Sequence, residues 1–133
     1  MSQDKPRVLI AEDNPGLARA LEFSLKHVGF DVTVRHNGAE AWETVREDKF
    51  DAVITDHEMP GMTGVELCRQ MRATELHATT PLVMVTGRQM ELEATKLKEE
   101  LNLAAIFPKP YSPRNLVTLV KEVIADSTCE STT

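Results

Sequence analysis

The sequence predicts an α/β fold with a doubly wound parallel sheet, and three observations carry that prediction. Five short apolar runs alternate with five longer stretches of helical period. Three of the runs are continuously apolar, as strands covered on both faces must be. Helix-opening punctuation recurs between them, at Asn14-Pro15, at Thr63 with Glu66, and at Ser112-Pro113. Repeated strand–helix units imply parallel strands joined by right-handed crossovers, with helices on both faces.

Taken in order, the first run is Val8-Leu9-Ile10-Ala11, a strand predicted over 8–11. Asn14 then caps a helix over 15–28 with Pro15 at its first position, and Gly29 ends it. Leu17, Leu21 and Val28 recur on one face of that helix, with Phe23 and Leu25 alongside. The second strand, 32–35, lies in a segment alternating polar and apolar, Asp31-Val32-Thr33-Val34-Arg35, which suits a sheet edge. A helix over 39–47 follows, with Trp42 placed to pack it on the sheet. The third strand, 52–55, contains the apolar Ala52-Val53-Ile54. Thr63 and Glu66 have capping-box spacing for a helix over 64–76, in which Cys68 reads as a small apolar residue. Leu82-Val83-Met84-Val85 forms the fourth strand, and a helix over 90–101 follows. The fifth strand covers 104–107, and its last residue, Phe107, reads as core. The final helix, 113–126, carries an amphipathic stripe of Leu116, Val117, Val120, Val123 and Ile124. The flavodoxin-like (βα)5 arrangement, with strand order 2-1-3-4-5, puts the alternating strand at an edge and the first and third strands side by side, and is adopted as the order that best fits the pattern.

A chain of 133 residues suits one domain. Its predicted limits are 7–126, after a polar lead over 1–6 and before a small, polar segment over 127–133 that reads as a flexible tail or the start of a linker. The formal net charge of −6, with no basic stripe, argues against direct nucleic-acid binding. Apolar runs are far too short to span a membrane, and the polar start is unlike a secretory leader. Cys68 and Cys129 are far apart, so a reducing, cytoplasmic setting is expected. His27, His36, His57 and His77 show no zinc spacing.

In such a sheet, ligands bind beyond the carboxyl ends of the strands, where strand order reverses. That point lies between the first strand, ending in Glu12-Asp13, and the third, ending in Asp56. Three converging carboxylates repel one another and push at least one toward protonation, unless a hard dication intervenes. Mg²⁺ suits one or two carboxylates with water and a phosphate oxygen. Thr86-Gly87 ends the fourth strand at the same rim, offering a hydroxyl and a close backbone approach, and Lys109 follows the fifth with a compact positive charge.

Together these residues resemble the receiver domain of two-component response regulators, single-domain chemotaxis receivers among them, over about residues 7–126. The most specific element is Asp56-His57-Glu58-Met59-Pro60-Gly61-Met62-Thr63-Gly64, which looks like the family's phosphoacceptor strand and following loop. Glu12-Asp13, Val85-Thr86-Gly87 and Lys109-Pro110 fall in the family's order. The resemblance implies that Asp56 accepts a phosphoryl group from the phosphohistidine of a sensor histidine kinase or phosphotransfer protein. It implies Mg²⁺ held by Glu12, Asp13, Asp56 and the backbone carbonyl of Glu58, with Thr86 and Lys109 binding phosphoryl oxygens. It also implies a cis Lys109–Pro110 peptide, and an output in which phosphorylation switches binding of a downstream protein. Such a domain is not an enzyme in its own right; it assists only its own phosphorylation and dephosphorylation.

The sequence departs from the family at the aromatic usually found three residues before the lysine, where Ile106 stands. Phe107 and Tyr111 are nearby but out of register, with Phe107 expected on the opposite side of the strand. Glu58 and Arg88, two residues beyond Asp56 and Thr86, are candidate modulators of phosphoryl lifetime. Alternation turns His57 to the far side of the strand from Asp56. A Mg²⁺-dependent aspartyl phosphatase would show D-x-D-x-T, but Glu58 and Pro60 occupy those places. A flavin module would want a Ser/Thr/Gly-rich loop where Glu12-Asp13 stands. A receiver-like protein with only a structural site would have no need of the full acid, threonine and lysine set.

Overall fold

In the computed structural model, which describes residues 5–87, 91–109 and 111–131, strands and helices alternate along the chain. They are β1 (Arg7–Ala11), α1 (Pro15–His27), β2 (Asp31–Arg35), α2 (Gly38–Val45), β3 (Ala52–Asp56), α3 (Gly64–Arg72), β4 (Leu82–Thr86), α4 (Glu91–Leu101), β5 (Ala105–Pro108) and α5 (Pro113–Ser131). The strands form one parallel sheet in the order β2-β1-β3-β4-β5, the flavodoxin-like order expected. The alternating strand β2 is an edge, and the continuously apolar β1, β3 and β4 lie inside.

Alternation along each strand feeds two cores. On one face Leu9, Ala11, Val53, Leu82 and Met84 pack with Ala41 and Val45 of α2, Leu67, Cys68 and Met71 of α3, and Leu101 of α4. On the other, Val8, Ile10, Ile54, Val83 and Val85 meet Leu21 and Leu25 of α1 and Leu116, Val117 and Val120 of α5. Each fully buried aliphatic side chain contributes roughly 1.5–3 kcal/mol, so both faces must be covered for the sheet to persist. Trp42 packs against the first core, and Cys68 is fully buried in it. Ile106 joins the first core and Phe107 the second, as alternation requires.

Helix ends follow local chemistry. Asn14 accepts the Leu17 N–H, Asn37 the Glu40 N–H, and Thr63 with Glu66 completes a reciprocal capping box. Gly29 follows α1 at φ +104°, a conformation open to glycine. Helix α3 stops at Arg72, four residues before the predicted end. There the Thr74 hydroxyl donates to the Met71 carbonyl and accepts from the His77 N–H, so side-chain bonds replace the helical ones. Helix α5 continues to Ser131, past the predicted end at Asp126, because residues 127–131 contain no glycine or proline to stop it.

Candidate functional site

The parallel register brings the ends of β1, β3 and β4 to one rim. Ala11 is level with Thr55, and Asp56 is level with Val85. Glu12 and Asp13 leave β1 just where Asp56 closes β3, so one oxygen from each of the three carboxylates lies within 4.8 Å of the others. Glu12 and Asp56 are almost wholly buried, whereas Asp13 is exposed. They border a cleft of about 710 Å³ whose wall also includes Asn14, Pro15, His57, Glu58, Thr63 and Lys109.

Each buried acid has its own anchors. The Asn14 N–H donates to Glu12 Oε2 at 3.1 Å. Asp56 Oδ1 accepts the Glu58 N–H at 3.2 Å, and Oδ2 accepts Lys109 Nζ at 2.8 Å. Gly64 makes the turn after β3 possible: a Cβ there would meet the Asp56 carbonyl oxygen at 2.4 Å. The Gly64 N–H donates to the His57 carbonyl at 3.0 Å, closing the loop against the strand it leaves.

Electrostatics show where the repulsion is felt. Burial, reinforced by the Asp56 charge and opposed by the Asn14 N–H and by Lys109, pushes the Glu12 carboxyl from 4.5 up to about 7. Burial works against the Lys109 ammonium, but its hydrogen bond to Asp56 and the charges of Asp56, Glu12 and Asp13 outweigh that and raise its pKa. One lysine therefore faces three acids. The three acids offer hard carboxylate oxygens, which fit Mg²⁺ far better than a thiophilic or imidazole-seeking metal.

Of the residues singled out in the sequence, Glu12, Asp13, Asp56, Glu58 and Lys109 are brought together. Thr86 is buried at the end of β4, and its carbonyl accepts the Lys109 N–H at 2.8 Å, but it does not line the cleft. Arg88 and Pro110, and with Pro110 the predicted cis peptide, lie outside the described residues. His57 borders the cleft, and its N–H donates to the Val85 carbonyl at 2.8 Å, continuing the pairing of β3 with β4 one residue past Asp56. Sequence reasoning missed Asn14 as the anchor of Glu12. Its helix-cap signal was visible, but the backbone bond is set by the turn between β1 and α1. Tyr111 packs edge-on against Phe107 with its hydroxyl buried and unpartnered among the described residues, and burial raises its pKa.

Comparison with known proteins agrees with this geometry. The response regulator receiver domain family matches residues 8–121. The sensory transduction protein RegX3 of Mycolicibacterium smegmatis is 36% identical over 117 residues, covering 88% of this chain and 50% of that protein. The chain thus spans about half the length of the curated relatives it matches. A sensor protein from Polaromonas sp. JS666 superposes with a TM-score of 0.82 at 29% identity, covering 92% of this chain and 98% of the other. The chemotaxis response regulator CheY4 of Vibrio cholerae shares the fold, with a TM-score of 0.82 at 24% identity over 90% of this chain and 99% of its own.

Proposed function

The chain belongs to the response regulator receiver domain family of two-component signalling, and we propose that Asp56 is its phosphoacceptor, working with Mg²⁺ beside it. The observation that carries this is the convergence of Glu12, Asp13 and Asp56 within 4.8 Å, with Lys109 Nζ 2.8 Å from Asp56. Mg²⁺ would be held by Glu12, Asp13, Asp56 and the Glu58 carbonyl. When bound, it neutralises carboxylate and phosphoryl charge during transfer.

The chain's own groups supply positioning. Asp56 is fixed at both oxygens, by the Glu58 N–H and by Lys109, so its carboxylate meets the incoming phosphorus in one orientation. A phosphorus–oxygen bond to Asp56 forms as the phosphorus–nitrogen bond of a phosphohistidine breaks, and the imidazole leaves with the electron pair. Lys109 then turns from pairing with the carboxylate to pairing with a phosphoryl oxygen. Thr86, one residue beyond the level of Asp56, supplies a hydroxyl to another oxygen once its side chain reaches the cleft. Glu58 and Arg88 set how readily water reaches the acyl phosphate.

The donor is a sensor histidine kinase or a phosphotransfer protein, and the setting is cytoplasmic. The domain runs over 7–126, binds no nucleic acid directly, and turns over nothing beyond its own phosphoryl group. Its output is a changed affinity for a downstream protein, through alternative packings near α4, at a coupling of about 1–3 kcal/mol. With Ile106 in the first core and no aromatic in that register, the readout differs from the usual aromatic one.

The test is intact mass after incubation with Mg²⁺ and a small acyl phosphate, for the wild type and for Asp56→Asn. A single phosphoryl adduct that needs Mg²⁺ and disappears in Asp56→Asn is expected. An adduct that survives the substitution moves the acceptor elsewhere.

A further inference from the structure

We infer that Gly38, at the start of α2, positions the loop that carries the Glu58 carbonyl, and so tunes the affinity of the site for its divalent cation. The inference rests on the Mg²⁺ site proposed above. Gly38 lies outside the cleft, but it is buried against the β3–α3 connection. A Cβ on Gly38 would stand 2.2 Å from the Met62 carbonyl oxygen, 2.8 Å from its Cβ and 2.9 Å from its carbonyl carbon. Two of those three atoms are backbone, so no rotamer change of Met62 relieves the overlap. The loop itself would have to move.

The loop has few ways to absorb such a push. Its far end is held by the Thr63–Glu66 capping box and by the Gly64 N–H bond to the His57 carbonyl. Gly64 is in turn pressed against the Asp56 carbonyl, which blocks retreat toward the sheet. Displacement at Met62 must therefore pass back through Gly61, Pro60 and Met59 toward Glu58, whose N–H holds Asp56 Oδ1.

The α2 side is no softer. Asn37 caps α2 through the Glu40 N–H, and Arg35 Nε donates to Thr44 Oγ1, tying the helix back to β2. The same connection reaches the other acids. The Glu12 N–H donates to the Arg35 carbonyl at 3.0 Å, and His36 Nδ1 lies 3.4 Å from the Glu12 carbonyl oxygen. The segment from β2 into α2 thus braces the β1 end on one side and the β3–α3 loop on the other. By linkage, a cation that gathers Glu12, Asp56 and the Glu58 carbonyl must also stiffen the start of α2.

Two measurements test this. In calorimetric Mg²⁺ titrations, Gly38→Ala should bind at least about tenfold more weakly than the wild type, the scale for groups that support metal ligands. Ala41→Gly, a buried change on the same helix that pushes on nothing in the loop, should stay within about twofold. Wild-type affinity in Gly38→Ala overturns the inference, and so does an equal loss in Ala41→Gly. The second measurement needs no variant: Mg²⁺ should slow amide hydrogen exchange at residues 38–41 of the wild type together with residues 58–62. Protection confined to the loop overturns the coupling. If the wild type shows no Mg²⁺ binding at all, the metal site itself falls, and the inference falls with it.

Discussion

At the carboxyl end of the sheet, Glu12 and Asp56 are buried beside a third acid with a single lysine to share. At the opposite end His77 is fully buried too, yet each of its ring nitrogens is matched. Its Nε2 faces the Val45 and Asp48 carbonyls at 2.7 and 3.0 Å, so it must carry the proton. Its Nδ1 then accepts from the Thr80 hydroxyl at 2.9 Å, and that hydroxyl in turn accepts from Lys49 Nζ. The Arg72 guanidinium takes the His77 carbonyl at 2.8 Å. One end of the molecule is a closed hydrogen-bond network, and the other is an open cleft where three acids meet one lysine among the described residues. Like charges gathered in this way cost stability, and the closed end offsets part of that.

Breaking the closed end should have the largest effect. His77→Ala leaves two carbonyls and a hydroxyl buried without partners and opens a cavity, so a loss of about 2–4 kcal/mol is expected from urea unfolding. A change below about 1 kcal/mol would mean that water or a shifted Lys49 repairs the gap.

The open end should respond in the opposite sense. In the absence of metal, Glu12→Gln removes one of three repelling charges and should stabilise the fold by about 1–2 kcal/mol near neutral pH, while weakening Mg²⁺ binding. The pH dependence separates the two ends. Glu12 is raised from 4.5 to about 7. The folded state therefore holds its proton longer than the unfolded chain, and stability falls as pH climbs between those values. His77 is lowered from 6.5 by burial, ahead of the opposing Val45 and Asp48 bonds. Its contribution is full above 6.5 and fades as pH drops through the lower folded value. Urea midpoints in chelator should thus decline from pH 5 to 7 more steeply for the wild type than for Glu12→Gln. Saturating Mg²⁺ should abolish that difference in slope. Parallel curves would mean that Glu12 ionises without penalty.

The contrast also explains what could be foreseen. Continuously apolar Val8-Leu9-Ile10 and Leu82-Val83-Met84 suit doubly covered strands, and with the flavodoxin-like order that fits them best they bring Glu12, Asp13 and Asp56 together. The carboxylates were legible because like charges at a switch point need a reason. His77 was not, because its partners are the Val45 and Asp48 carbonyls, and every residue has a carbonyl. The early end of α3 was hidden for a similar reason, since it depends on which carbonyl the Thr74 hydroxyl captures.

Between the two ends, α3 and α4 are joined by contacts that look alike in a list of charges and differ in physics. Arg69 meets Glu100 through two nitrogens, the nearer at 2.9 Å, but both side chains are about half exposed. Solvent screens such a pair, and ordering two long side chains offsets much of the attraction. Arg72, three residues on, instead donates to the Leu101 and Asn102 carbonyls, where Asn102 takes a left-handed turn (φ 51°) after α4. Those carbonyls have left the helix ladder and need a donor. Glu100→Ala should therefore change stability by less than about 0.5 kcal/mol in urea unfolding, and Arg72→Ala by clearly more. A larger cost for Glu100→Ala would make the exposed ion pair, rather than the capped carbonyls, the hinge on which α4 is held. The end of α4 away from the site would then depend on ionic strength.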